Sequence, residues 1–156
     1  MREHTNKDKL LIDRQLIDRF ERFTSAIFTL HHSWNRIATE EMKRHGLKGA
    51  YAFYLVTLAD ANQDITASQL AELCQRDKAD VSRAIAVFQE KGILEKQNSG
   101  RYRMALRLTE KGLALADEIR QQVVDVLESA GQGLSEEMRE NMYQSLALIS
   151  ENLKKI

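Results

Sequence analysis

The chain has 156 residues, enough for one compact domain or for a small domain with a few additional helices. It is 43% hydrophobic and 29% charged, as soluble globular proteins are, and it has no apolar run long enough to span a membrane. Its one cysteine excludes an internal disulfide, and the polar start lacks the apolar core of a signal peptide, so we expect a cytoplasmic protein.

Positive charge is concentrated in the middle of the chain. The 23 basic and 23 acidic residues cancel, so the net charge alone does not favour a nucleic-acid partner. Residues 66–112, however, hold nine basic and six acidic residues, a net charge of +3, and residues 113–156 hold four and eight, a net charge of −4. This distribution indicates a central part that meets phosphate and an end that meets protein.

The first predicted helix is unusually long. It covers Asp8–His45 and ends at Gly46. Its apolar stripe, spaced by three and four residues, consists of Leu16, Phe20, Phe23, Ile27, Leu30, Trp34 and Ile37. At 1.5 Å per residue the helix would be about 55 Å long. A small monomer cannot cover such a length, so the helix either packs against another chain or bends.

The pattern then predicts three shorter helices, Lys48–Asp60, Ala67–Cys74 and one from Asp77 to Lys91. Thr66 or Ser68 can cap the third helix and Asp77 the fourth, while Gly92 is suited to a left-handed stop. The residues expected to face inward are Tyr51, Tyr54, Leu55, Leu58, Leu70, Leu73, Cys74, Val81, Ala84, Ile85 and Phe88.

A change of period after Gly92 predicts a β-hairpin. Its strands are Ile93–Gln97 and Tyr102–Leu108, joined by a turn at residues 98–100, and Met104, Leu106 and Leu108 alternate along the second strand. A helix capped by Thr109 follows, with Leu113, Ala116, Ile119, Val123, Val126 and Leu127 expected inward. Gly131 and Gly133 separate it from a last helix, Ser135–Leu153. The expected fold is therefore mainly α with a small β-hairpin (α+β).

Two short helices joined by a tight turn and followed by a hairpin form a winged helix-turn-helix. The second helix of such a pair enters the major groove, which is about 12 Å wide, so its outer face must be slim. The residues expected to contact DNA are Lys78, Ala79, Asp80, Ser82, Arg83 and Ala86 on this helix and Arg101 and Arg103 in the wing.

These residue types support different contacts. The alanines allow close approach to thymine methyl groups, Arg83 can bind guanine with two hydrogen bonds, and Ser82 can bond a base or a phosphate. Lys78 is suited to the DNA backbone, and a wing arginine to the narrow minor groove. Asp80 would be repelled by phosphate, so it either accepts from a cytosine amino group or pairs with Arg83 or Arg76.

Several runs of the sequence resemble the MarR family of bacterial transcription regulators. They are residues 66–73 (TASQLAEL), 81–83 (VSR), 90–94 (EKGIL) and 108–112 (LTEKG). The resemblance implies a homodimer with interleaved terminal helices and response to a ligand in a cleft between the dimer part and the reading part. Two features depart from the family pattern: residues 98–101 (NSGR) replace its Asp-x-Arg wing run, and Asp80 stands where Ser or Thr is usual.

A small aromatic effector could bind beside His31, Trp34, Tyr51 and Tyr54, because aromatic side chains with polar tips suit an amphipathic molecule. The alternative is that Trp34 and Tyr54 belong to the core. Cys74 lies on an apolar face, where a thiol is usually inert. The histidines show no ligand spacing with cysteine or carboxylate, so we expect no metal and no cofactor, and no motif indicates an enzyme.

The sequence thus predicts a helical dimerisation region, residues 1–60 and 109–156, around a DNA-binding winged helix-turn-helix, residues 61–108. The expected function is a ligand-responsive repressor that binds a pseudo-palindromic operator in double-stranded DNA as a homodimer. The alternative is a winged-helix adaptor that binds protein without sequence-specific DNA binding, for which the zero net charge and Asp80 provide the reason.

Overall fold

The computed structural model describes residues 2–61, 65–98 and 104–156, and the side chains of residues 14–61, 65–97 and 104–156. In chain order the described elements are α1 (Arg2–Arg44), α2 (Tyr51–Asp60), α3 (Ala67–Leu73), α4 (Lys78–Glu90), β1 (Leu94–Asn98), β2 (Met104–Leu108), α5 (Glu110–Ala130) and α6 (Glu136–Leu153). The fold is mainly helical with one antiparallel hairpin, which confirms the predicted fold class.

Side-chain caps fix where four helices begin. Thr66 accepts a hydrogen bond from the Gln69 amide, and the Gln69 side chain accepts one from the Thr66 amide, so α3 starts with a capping box. The Asp77 carboxylate accepts from the amides of Ala79 and Asp80, and Thr109 and Ser135 cap α5 and α6 in the same manner. These caps satisfy amides that have no partner within the helix.

Three helices end in the same backbone geometry, a left-handed residue followed by a hydrogen bond back over five residues. Gly46 (φ 64°) ends α1 and Gly92 (φ 65°) ends α4, as predicted. Gln75 (φ 51°) holds the corresponding position after α3, where the Arg76 amide donates to the Ala71 carbonyl at 2.9 Å. The left-handed conformation of Gln75 produces the sharp turn between α3 and α4, at the cost of backbone strain that a glycine would not have.

The hairpin is tied to the segment before α3. Its register pairs Leu94 with Leu108 and Asn98 with Met104. In addition to the pairing within the hairpin, the Leu106 amide of β2 donates to the Ile65 carbonyl at 2.8 Å, so the two residues form an isolated bridge. The hairpin is therefore hydrogen-bonded to the segment that leads into α3 and does not project as an independent ribbon.

The core lies where α2, α3, α4, the hairpin and the start of α5 meet. Its largest fully buried side chains are Tyr54, Phe88, Met42, Leu55, Leu70 and Val81. The Tyr51 ring packs edge-on against Phe88 and stacks with Tyr54, with centroid distances of 5.5 and 6.0 Å. The predicted inward faces of α2 and α4 are confirmed in full.

Four apolar residues expected inward are exposed instead: Leu73, Met104, Leu113 and Leu127. Leu73 is 57% exposed because α3 is only two turns long and buries Leu70 and Ala71. On β2 the neighbours Ala105 and Leu106 are both buried, so burial does not alternate as predicted. The predicted element boundaries differ from the observed ones by up to six residues, most at the start of α1.

The long N-terminal helix is continuous over 43 residues, about 65 Å at 1.5 Å per residue. The chain contains no proline that could bend it. Most of the apolar stripe of this helix is exposed, including Phe20 and Leu30. The last helix, α6, has no buried residue. Among the described residues, no helix combines the length and apolarity needed to cross a membrane.

Candidate nucleic-acid interface

The helix-turn-helix presents one polar, slim face to solvent. Buried Val81, Ala84, Ile85 and Phe88 fasten α4 to the core. On the opposite side the predicted contact residues lie together on the surface of α4; Lys78, Ala79, Ser82, Arg83 and Ala86 are exposed and Asp80 is half-buried. The small side chains of Ala79, Ser82 and Ala86 allow the helix axis to approach another surface closely.

Asp80 connects the exposed face of α4 with the core. The Tyr54 hydroxyl on α2 donates to Asp80 Oδ2 at 2.6 Å, and Arg83 Nη2 donates to Asp80 Oδ1 at 3.3 Å. Of the interpretations open from sequence, the structure therefore shows pairing with Arg83. The sequence does not predict the hydrogen bond from Tyr54 to Asp80, because the two residues are 26 positions apart and only packing brings them together.

The electrostatics of this group follow from its geometry. The hydrogen bond from Tyr54 is the largest cause that lowers the pKa of Asp80, and the hydrogen bond and charge of Arg83 lower it further against the effect of burial. Burial, followed by the hydrogen bond to the Asp80 carboxylate, raises the pKa of Tyr54. At neutral pH the carboxylate is thus charged and the phenol is protonated, which is the state that this geometry requires.

The wing is described only along its strands. Arg101 and Arg103, both predicted to contact DNA, lie outside the described residues, as does the turn between them and β1. On the strands, Glu95 is the register partner of Arg107.

The segment after the wing joins α4 to α5. The Thr109 hydroxyl donates to the Gly92 carbonyl at 2.7 Å, and the Lys111 ammonium donates to the Lys91 carbonyl at 2.8 Å. At Gly112 a Cβ atom would lie 2.1 Å from the Ile93 carbonyl oxygen, so no larger residue fits without displacing backbone. The residues that carried the family resemblance at 108–112 thus form a physical junction.

A cavity of about 230 Å³ lies between α1, α2 and α5. Its lining is apolar apart from one carboxylate and one amide: Trp34, Ile37, Ala38, Glu41, Met42, Ala52, Phe53, Val56, Ile119, Gln122, Val123 and Val126. Of the four effector residues named from sequence, only Trp34 lines this cavity. Tyr51 and Tyr54 are core residues, and His31 is exposed one turn away and hydrogen-bonded to Asn35 at 2.8 Å.

Cys74 is buried, as predicted, and its thiol lies 3.6 Å from the Thr57 hydroxyl. Burial raises the pKa of this thiol, which disfavours the reactive thiolate.

Comparison with known proteins agrees with this architecture. The model of the MarR family matches residues 45–102, from the end of α1 through the helix-turn-helix and the first wing strand. Residues 45–102 of this chain are therefore similar to the MarR family, as the sequence motifs indicated. None of the curated protein sequences matches this chain significantly.

Solved MarR-type structures share the fold over most of their length. A putative MarR family transcriptional regulator from Listeria monocytogenes, complexed with 26mer DNA, is 26% identical with a TM-score of 0.74, covering 81% of this chain and 85% of that one. The transcriptional regulator SlyA is 25% identical with a TM-score of 0.76, covering 85% and 94%. The Staphylococcus aureus MepR–DNA complex is 20% identical with a TM-score of 0.73, covering 81% and 94%.

Replacing Tyr54 with Phe tests the connection between core and recognition face. Tyr54→Phe should destabilise the protein by about 1 kcal/mol at neutral pH, because a hydrogen bond to a partly exposed carboxylate is lost. Since the pKa of Asp80 is lowered in the folded protein, this contribution is present above the unfolded pKa and is lost as the pH falls through the folded one. The stability difference should therefore shrink in acid, measured by denaturant unfolding across pH.

Tyr51→Phe serves as the control, because it removes a phenolic hydroxyl from the same helix and leaves the hydrogen bond between Tyr54 and Asp80 in place. Titration by NMR should show a higher pKa for Asp80 in Tyr54→Phe than in the unmodified chain. An unchanged Asp80 titration would contradict the assignment.

Proposed function

We propose that this protein regulates transcription by binding double-stranded DNA as a homodimer, with α4 in the major groove. The observation that carries the proposal is the two-sided character of α4, whose apolar side is buried while its slim polar side faces solvent. In the proposed division of the chain, residues 61–108 read DNA and residues 1–60 and 109–156 form the dimer. The DNA complexes among the structural neighbours support this use of the fold.

Arg83 is the principal base-reading residue in this proposal. Its guanidinium is 63% exposed at the side chain and is held at one edge by Asp80, which limits the orientations it samples. An arginine restrained in this manner loses less conformational entropy when it binds a guanine edge. Ser82 and the two alanines complete the base-facing surface, Lys78 contacts the backbone, and Arg101 and Arg103 retain their predicted role in the wing.

The dimer is proposed from apolar surface that one chain leaves uncovered. Large exposed side chains follow α1 and α6: Leu16, Ile17, Phe20, Phe23, Ile27, Phe28, Leu30, Met138, Met142, Tyr143, Leu146, Leu148 and Leu153. Contiguous apolar patches of this kind mark interfaces in soluble proteins. A second copy of the chain suits them because each copy supplies the same pair of terminal helices, as a two-fold interface requires.

Ligand response is proposed at the cavity between α1, α2 and α5. Trp34 and Phe53 provide aromatic surface, and Gln122 provides a polar group, so the cavity suits a small aromatic molecule with a polar substituent. The same three helices connect the proposed dimer part with the helix-turn-helix. A ligand that alters their packing would change the separation of the two recognition helices, and we propose that it lowers DNA affinity and relieves repression.

The adaptor alternative loses one of its two reasons. Asp80 suggested a surface unsuited to phosphate, but its carboxylate is bonded to Tyr54 and Arg83 and thus serves the arginine. The zero net charge remains, although the local charge of residues 66–112 is positive.

DNA binding should depend on Arg83 in a sequence-selective manner. Arg83→Ala should weaken binding to the preferred operator by about 1–3 kcal/mol and relax base preference at one position in each half-site. Footprinting should show half-sites about one helical turn apart, and affinity should fall steeply with salt. Arg36→Ala, on the exposed surface of α1, is the control. A protein that does not bind DNA at low salt would refute the proposal.

Dimer formation should depend on the apolar stripe of α1. The unmodified chain should sediment at twice the mass of one chain, and Phe20→Asp should shift it toward the monomer because a charge would be buried in an apolar interface. Phe20 is 68% exposed in the single chain, so the substitution does not disturb its core. Glu21→Lys alters charge one position away and should remain dimeric. A monomeric mass for the unmodified chain would contradict the proposed dimer.

Ligand binding can be followed by fluorescence, since Trp34 is the single tryptophan and lines the cavity. Benzamide should change its emission at lower concentrations than benzoate, because bringing a charged carboxylate into a mostly apolar cavity costs free energy. Ala52→Phe should abolish the response by filling the cavity, whereas Ala130→Phe, away from it, should preserve the response. If the ligands bind equally well to Ala52→Phe, the cavity is not the site.

A further inference from the structure

Three side chains with metal-binding atoms converge where the end of α1 meets α5. Glu41 and His45 are one turn apart on α1, and Glu118 approaches them from α5. His45 Nε2 lies 3.8 Å from Glu41 Oε1 and 3.7 Å from Glu118 Oε1, and the three donor atoms lie within 4.8 Å of one another. The expectation that no histidine has ligand spacing with a carboxylate was wrong for His45, which lies four residues after Glu41 on the same helix. Glu118 could not be predicted from spacing, because packing brings it to the other two.

Two of these atoms have unmet bonding capacity. Glu41 Oε1 and His45 Nε2 are buried and have no hydrogen-bond partner among the described residues. An unpartnered buried polar atom costs about 1–3 kcal/mol, so native proteins generally provide each one with a partner. The separations of 3.7 and 3.8 Å are too long for hydrogen bonds, so the imidazole and the two carboxylates do not satisfy one another directly.

The same separations suit an ion between the atoms. Two ligands that each lie about 2.1 Å from a tetrahedral metal are about 3.4 Å apart. His45 Nε2 would need to approach each carboxylate oxygen by only a few tenths of an ångström, while the two carboxylate oxygens, within 4.8 Å of each other, would move together by rotation of the side chains. The remaining Glu41 oxygen, Oε2, lies 3.0 Å from Arg44 Nη1, an ion pair that holds the carboxylate in orientation.

We propose that Glu41, His45 and Glu118 bind a divalent transition-metal ion, with Zn²⁺ as the best fit. One imidazole and two carboxylates form a mixed nitrogen and oxygen set that suits zinc, whereas calcium and magnesium prefer oxygen ligands alone. Three protein ligands leave the remaining coordination positions to water. The ion would satisfy both unpartnered atoms and offset the two neighbouring carboxylate charges.

The position of the site gives the ion a structural consequence. It would cross-link the last turn of α1, next to the Gly46 turn, to α5. His45 and Glu118 also line a cleft of about 410 Å³ together with Lys91 and Lys111, at the junction with the end of α4. An ion here would thus stiffen the connection between the terminal helices and the recognition helix.

The test uses the full chain, stripped with a chelator and then titrated with Zn²⁺ against a chromophoric competitor. We expect saturation at one ion per chain and a rise in Tm with added Zn²⁺. Co²⁺ should produce visible absorption bands of a low-symmetry nitrogen and oxygen site. His45→Ala and Glu118→Gln should each weaken Zn²⁺ binding at least about tenfold, since even outer-shell changes cost 10–100-fold.

His32→Ala, which removes an exposed histidine from the same helix, is the matched control and should bind Zn²⁺ normally. Glu118 is half-exposed, so Glu118→Gln tests the site even if His45→Ala fails to fold. Absence of saturable binding, retention of binding in Glu118→Gln, or loss of binding in His32→Ala would each overturn the proposal. DNA affinity is measured separately, so failure of the metal site would leave the proposed DNA binding intact.

Discussion

The close contact between α5 and the end of α4 is the constraint on which the arrangement of the chain depends. Gly112 lets the Ile93 carbonyl approach where any Cβ atom would collide, and Thr109 and Lys111 bond the carbonyls of Gly92 and Lys91 around it. The end of α4 is thereby fixed relative to α5 through backbone atoms. Since α5 leads into α6 and packs on α2, our proposed ligand response would use this connection to link the terminal helices with α4.

The chain divides its apolar residues between two purposes. Those of α2, α4 and the hairpin are covered within one molecule, while those of α1 and α6 remain exposed. A two-fold partner would cover the second set, so in our proposal the terminal helices owe their stability to association. The cavity and the Glu41, His45 and Glu118 group both lie where these two parts meet, which is where a ligand or an ion could influence both.

Local electrostatics matter more here than the net charge. In the proposed DNA-binding role, a chain with zero net charge would still offer a positive segment to phosphate, because residues 66–112 hold the basic excess. Within that segment Asp80 is a supporting residue: the phenol of Tyr54 stabilises its charge from the core, and its other oxygen restrains Arg83 from the side. The position of this arginine thus depends on a residue of another helix.

The sequence alone determined the parts that depend on local rules. Caps at Asp77 and Thr109, stops at Gly46 and Gly92, and the inward face of α4 follow from short-range hydrogen bonding and periodicity, while the cap of α3 was narrowed to Thr66 or Ser68. Three features became known only from the packing of the folded chain: which apolar residues stay exposed, the hydrogen bond from Tyr54 to Asp80, and the lining of the cavity by Phe53 and Val126 in place of the two predicted tyrosines. These outcomes depend on distances between residues far apart in the chain, and spacing along one helix contains no information about them.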